Sequence, residues 1–224
     1  MHIRVRLVIA VVAAVFGVPS TSSAQGIESS WYAGGALGHT AERFMPHYTS
    51  YVGDTPSTFE NDANGLAVDL LVGRRIGLSR VWSFALQGAA SFNRFAWSLS
   101  IPAEPATLDY SLPYAFAVSA APELHIGSVL VVYADAGIGT GRVRETKTSV
   151  TASAYDFDQM QPLVSVGGGV KIALGARAEA FARVGQRRYR EHAFDTFTPA
   201  NVKTEHVTDA PRATSVTVGL TTRF

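Results

Sequence analysis

The sequence contains no cysteine. That excludes a disulfide framework, a thiolate metal site and a cysteine nucleophile together. Net charge is also scarce: 19 Lys and Arg against 18 Asp and Glu leave +1, and nothing in that balance argues for a nucleic-acid partner. Beyond its N-terminal segment the chain lacks any run near the roughly 18 uninterrupted apolar residues of a spanning helix, although 47% of its residues are hydrophobic. Asp69 interrupts Leu66 to Val72, and Asp135 interrupts Val129 to Ile138. A closed barrel reconciles high apolar content with broken apolar runs. Its strands satisfy every backbone N–H and C=O in lipid by closing on themselves, and they need apolar residues only at alternate positions.

The first feature present is an export signal. His2, Arg4 and Arg6 form a basic start, Leu7 to Val18 an apolar stretch, and small residues lead to a cleavage site. Ser22 and Ala24 occupy the small-residue positions that a signal peptidase reads, so the spacing predicts a signal peptide over residues 1–24 and a mature domain over 25–224. At roughly a dozen residues the apolar stretch is short for a retained anchor. The rest of the chain suits one all-β domain, since no Ser/Pro-rich linker divides it.

Period-two alternation marks eight segments: Trp31 to Thr40, Gly65 to Arg75, Val81 to Phe95, Tyr110 to His125, Val129 to Val143, Leu163 to Leu174, Arg177 to Tyr189 and Arg212 to Phe224. The connections alternate in length. Ile76 to Arg80, Ile126 to Ser128 and Gly175 to Ala176 are short, whereas Ala41 to Asn64, Ala96 to Asp109, Arg144 to Pro162 and Arg190 to Pro211 are long and polar. This asymmetry is that of an outer-membrane barrel, with tight periplasmic turns and longer outer loops. In the second segment Leu66, Val68, Leu70 and Val72 oppose Asp69, and in the third Trp82, Phe84, Leu86 and Phe92 oppose Ser83, Gln87, Ser91 and Asn93. Aromatic belts are expected at Trp31, Tyr32, Trp82 and Phe224 on the turn side, and at Phe95, Trp97, Tyr110, Tyr155 and Tyr189 on the loop side. The fold class expected is all-β: an eight-stranded antiparallel up-and-down transmembrane barrel.

In the last segment Val216, Val218, Leu220 and Phe224 share one parity and Arg223 takes the other. It resembles the terminal strand of outer-membrane β-barrel proteins. The resemblance implies that Phe224, Leu220 and Val218 form the signal read by the barrel-assembly machinery. As a whole the mature pattern is similar to the small eight-stranded OmpA/OmpX-like group. That implies a bacterial outer-membrane location, with outer-membrane lipid and lipopolysaccharide around the wall and loops able to meet an extracellular ligand. An OmpA-type peptidoglycan-binding domain is not expected after Phe224.

An eight-stranded barrel is just wide enough for side chains to fill. The inward parity collects Asp69, Glu123, Asp135 and Glu179 with His125, Lys171, Arg177, Arg183, Arg187 and Arg223. This mixed inventory predicts a lumen plugged by paired charges, with a structural or surface-interaction role. The alternatives are a narrow pore or gated ion channel, a lipid A-modifying barrel enzyme, and a soluble lipocalin-like carrier that would turn its apolar parity inward.

The enzyme needs a nucleophile beside a base. No inward serine is identified to match His125, and Glu191-His192 and Glu205-His206 fall in a long loop read as solvated. No cofactor or metal is expected: His39, His47, His192 and His206 lie at or beyond the outer rim without ligand spacing. Gly167-Gly168-Gly169 lacks the Lys-Ser/Thr of a phosphate loop and reads as room for close strand packing or a bend. Arg43, Phe44, His47, Tyr48 and Tyr51 in the first loop form an aromatic and basic cluster, suited to contact with an external partner or to packing on the rim.

Overall fold

The computed structural model describes residues 27–50, 57–58, 61–94, 97–101, 106–149, 155–198 and 202–224. The signal segment, Tyr51 and Phe95 lie outside them. The strands are β1 (Ser30–Phe44), β2 (His47–Ser50), β3 (Ser57–Thr58), β4 (Asn61–Gly77), β5 (Trp82–Arg94), β6 (Trp97–Ile101) and β7 (Ala106–Ser111). The second half holds β8 (Tyr114–Ile126), β9 (Leu130–Ser149), β10 (Tyr155–Ala173), β11 (Ala178–Tyr189), β12 (His192–Phe197), β13 (Lys203–Asp209) and β14 (Arg212–Arg223).

Eight of these strands close a ring in the order β1, β4, β5, β8, β9, β10, β11, β14, with every pair antiparallel. Closure is complete because β14 returns to β1 from Tyr32↔Arg223 to Arg43↔Arg212. No edge is left between these two strands, which is how a sheet can stand in hydrocarbon. Tight turns at 78–81, 127–129 and 174–177 join the strands at one end. Gly127 takes φ 65 in the second of them, a left-handed geometry that glycine adopts without a Cβ clash. In the first, Ser79 Oγ accepts the backbone N–H groups of Val81 and Trp82.

Side-chain direction follows the period-two reading. Leu37, Leu66, Leu70, Ile138, Val184, Val216, Val218 and Leu220 are exposed on the outer wall, whereas Asp69, Glu123, Asp135, Lys171 and Glu179 are buried. The lipocalin-like alternative, which needs the apolar stripe inside, is contradicted by this sidedness.

The far end differs from a set of polar loops. Strands β9 and β10 run 20 and 19 residues, well beyond the 9–11 that cross a bilayer. The hairpin β6–β7 stacks onto the outer part of β9, and β12, β13, β2 and β3 form a separate four-stranded sheet. The fourth predicted segment is two strands, because Leu112 and Pro113 break the run between β7 and β8. Proline has no N–H for the ladder, and the carbonyl of Pro113 instead accepts from Asn93 N.

Both aromatic belts need correction. Trp82 and Phe224 face outward as expected, and Trp31 lies under the Arg74 guanidinium at 5.6 Å, but Tyr32 is buried and donates its hydroxyl to Gln87. On the loop side Tyr110 and Tyr189 are buried, with Tyr155 packed against their cluster. Phe92, Tyr114 and Phe116 supply outward rings there instead. The parity of Tyr189 with Arg187 and Glu179 already required an inward position.

Candidate functional site

The inward side chains fall into layers. Nearest the turns, Arg75 is 1% exposed and sits between two carboxylates. Its Nε lies 2.6 Å from Glu123 Oε2, and its Nη1 and Nη2 lie 2.8 and 2.9 Å from the two oxygens of Glu179. Glu123 also accepts from Lys171 Nζ and from Ser83 Oγ, and the Lys171 ammonium stands 5.2 and 4.9 Å from the ring centroids of Tyr32 and Tyr133. Two cations and two anions therefore cancel inside a network of charge-assisted bonds, the condition under which buried charge is tolerable.

In the middle layer Arg183 makes two bonds to Asp135, at 3.0 and 2.7 Å. Gly167 gives that pair its room: a Cβ there would lie 2.7 Å from Arg183 Nη2 and 2.9 Å from Asp135 Oδ1. Arg187 bonds Ser91 Oγ and reaches Asp69 at 3.4 Å. A cavity of about 30 Å³ lies beside these groups, room for a single water.

Toward the outer mouth the filling becomes apolar. Phe44, Tyr110, Leu112, Ala115, Val143, Phe157, Leu163, Tyr189 and Ala213 form one buried cluster, with the Phe44 and Tyr110 rings 4.9 Å apart. Phe44 and Tyr48 of the first-loop cluster are thus packed inward, with Tyr48 Oη 3.1 Å from Tyr110 Oη. Arg43 and His47 stay exposed.

Of the ten residues expected to form the charged lumen, Asp69, Glu123, Asp135, Lys171, Glu179, Arg183 and Arg187 lie inside in these separate layers. His125 lies beside Ser83, and Arg223 stands at the turn-side rim, 3.7 Å from Glu179 Oε1. Arg177 does not join them. It is exposed in the turn before β11, where the strand has not begun and parity no longer directs it. Arg75 was missed, although it shares parity with Asp69 on β4.

Ser83 was missed as a partner for His125. Its Oγ lies 2.8 Å from His125 Nε2 and donates to Glu123 Oε2 at 2.7 Å. With the one hydroxyl proton on Glu123, the ring nitrogen donates and does not act as a base toward Ser83.

Above the barrel, His192 and Glu145 are not solvated loop residues. Both are buried, with His192 Nε2 2.9 Å from Glu145 Oε1 and its ring stacked 4.2 Å from Phe157. Asp209, also buried, accepts from Met45 N and Ala210 N. Burial, and then the nearby Glu145 carboxylate, push Asp209 up to about 7. His206 pairs with Asp195, whose carboxyl is held below its usual range by Lys203 and His206. His39 lies on the outer wall between Leu66 and Val216.

A closed ring of eight antiparallel strands, aliphatic outside and ion-paired inside, with tight turns at one end and long strands at the other, defines an outer-membrane β-barrel. No protein-family model and no curated protein matches the sequence. Among solved structures the chain is similar to Ail, the attachment invasion locus protein of Yersinia pestis, in complex with the heparin analogue sucrose octasulfate; identity is 13%, TM-score 0.44, and coverage 85% of this chain and 99% of that one. It is similar to Neisserial surface protein A at 17% identity and TM-score 0.43, covering 84% and 99%. It is also similar to the outer membrane protease OmpT from Escherichia coli at 8% identity and TM-score 0.44, covering 92% and 99%. These likenesses are loose, and the class rests on the ring and its sidedness.

Proposed function

We propose that the protein is a non-conducting, non-catalytic barrel whose working surface is its extracellular half. The observation that supports a closed lumen is the stopping of both ends, by the Arg75–Glu123–Glu179 network near the turns and by the Phe44–Tyr110–Leu112–Val143 cluster at the mouth. An ion crossing it would have to break buried ion pairs and then enter a dry apolar layer. Planar-bilayer recording of the purified protein tests this: no stable openings are expected, and frequent stable openings would establish the pore alternative.

The outer sheet supports a surface-interaction role. Its β12–β13 hairpin presents Phe197 and Val202 exposed near its tip, beside the Asp195, Lys203 and His206 cluster. Replacing the residues between Ala193 and Thr208 by a short Gly-Ser turn is expected to abolish adhesion to host cells or matrix while the barrel still folds. Unchanged adhesion would remove that role.

The Ser83–His125 contact favours the enzyme as a second reading. The hydrogen-bond direction at Ser83 speaks against it, because the hydroxyl is committed to Glu123. No labelling by a fluorophosphonate probe is expected; labelling that S83A abolishes would establish catalysis. Phe224, Leu220 and Val218 face outward on and just beyond β14, a placement consistent with recognition by the assembly machinery. Removing Phe224 is expected to lower the amount of folded barrel in the outer membrane several-fold.

A further inference from the structure

Where the outer sheet meets the projecting end of β9, three ionisable side chains from three strands are buried together. Glu145 of β9 is 0% exposed, Asp209 of β13 2% and His192 of β12 7%. His192 and Asp209 are opposed in the β12–β13 ladder, and the Glu145–His192 bond crosses from the barrel to that sheet. Asp209 Oδ1 accepts the N–H groups of Met45 and Ala210. Each of the three nevertheless keeps one buried atom without a hydrogen-bond partner among the described residues: Glu145 Oε2, His192 Nδ1 and Asp209 Oδ2.

Charge counting points the same way. Two carboxylates and one imidazole carry two negative charges and at most one positive. Around them, Lys147 of β9 reaches Glu205 of β13 at 3.7 Å, and Tyr48, Tyr110 and Tyr155 meet through their hydroxyls. Arg43, His47, Glu191 and Arg212 are exposed around the cavity on the solvent side of Asp209. A carboxylate has no hydrogen to offer, so the orphaned oxygens of Glu145 and Asp209 cannot satisfy each other while both groups are ionised. One added proton supplies a donor and removes a negative charge, and two acidic groups at one site hold such a proton more tightly than either does alone.

We propose that Glu145 and Asp209 form a proton-operated clasp that holds the outer sheet on the barrel, closed when the pair keeps one proton and sprung when both are ionised. Burial and the Glu145 charge push Asp209 up to about 7, above its unfolded value of about 4. The clasp is therefore fully closed below the lower value and loosens as pH rises through the upper one. Opening draws β12 away from β10 and uncovers the rings that meet between them, Phe157 on His192 and Phe194, and Tyr155 on Phe194. The same movement repositions the β12–β13 tip and so regulates the surface role proposed above. That consequence rests on the surface reading, whereas the clasp itself does not.

Because the chain has no cysteine of its own, a pair of spin labels can report the movement in the full chain in micelles. Labels carried by D156C and A193C, at exposed positions on β10 and β12, are expected to give one short distance at pH 5 and an added longer one at pH 8. The undocked population should be at least about tenfold larger at the higher pH. E145Q supplies an amide donor that needs no proton, so the labelled protein carrying it should stay docked at both values. H192Q keeps a donor for Glu145 but cannot titrate, and it should retain the response. Heat-modifiable migration verifies that each barrel is folded, and a protein that fails to adhere can still pass this test. Identical distances at the two pH values in the parent, an unchanged response in E145Q, or loss of the response in H192Q overturns the proposal.

Discussion

Arg75 neutralises Glu123 and Glu179 at the same time, so its removal leaves two buried carboxylates facing each other without a shared cation. Breaking a buried pair on one side costs about 3–5 kcal/mol. R75M is therefore expected to lose about that much stability in urea unfolding from micelles, and R75M/E179Q, which leaves the Lys171–Glu123 pair intact, to recover most of it. A single variant as stable as the parent would show that these charges are not coupled. Gly167 yields a second residue-level expectation. In G167V the new side chain occupies the space of the Arg183–Asp135 pair, and a loss of about 2 kcal/mol or more is expected by the same measurement, as for other overpacked sites. Parity alone placed most of these side chains inside. It could not say that Arg75 belongs with Glu123 and Glu179, because those partners come from strands β8 and β11, and only the shear of the closed ring sets which residues share a height.

The outer sheet is expected to carry a pH dependence of its own. The raised Asp209 carboxyl, facing Glu145 and His192, favours the neutral form in the fold. Its contribution is complete below the unfolded value of about 4 and is lost as pH rises through about 7. Amide exchange over β12 and β13, corrected for intrinsic rates, is expected to be slower at pH 5 than at pH 8, and D209N should flatten the difference. An identical pH response in D209N would assign it to another group. Sequence reading took this region as polar loop because its strands are short and its buried residues are His, Glu and Asp. Their burial depends on β9 and β10 projecting far enough to give β12 a surface to pack on.

At the scale of the whole molecule the protein turns the usual globular arrangement inside out, with Leu and Val outside and Arg, Lys, Asp and Glu within. Such a surface needs lipid or detergent around it. The mature chain is expected to aggregate in plain buffer, to fractionate with outer membranes, and to change its gel migration on heating; a monomer folded without detergent would contradict the membrane reading. Alternation and the order of tight turns were enough for the sequence by itself to mark eight antiparallel strands and the apolar stripe of each, because period two admits only two faces and only one of them is apolar; that this stripe faces outward was decided by the closed ring. Tertiary structure alone decided which charges pair and that Phe44, Tyr110, Leu112 and Val143 pack into one cluster toward the outer end. Each of those depends on which residues of different strands reach the same height around the ring, a quantity that no single strand encodes.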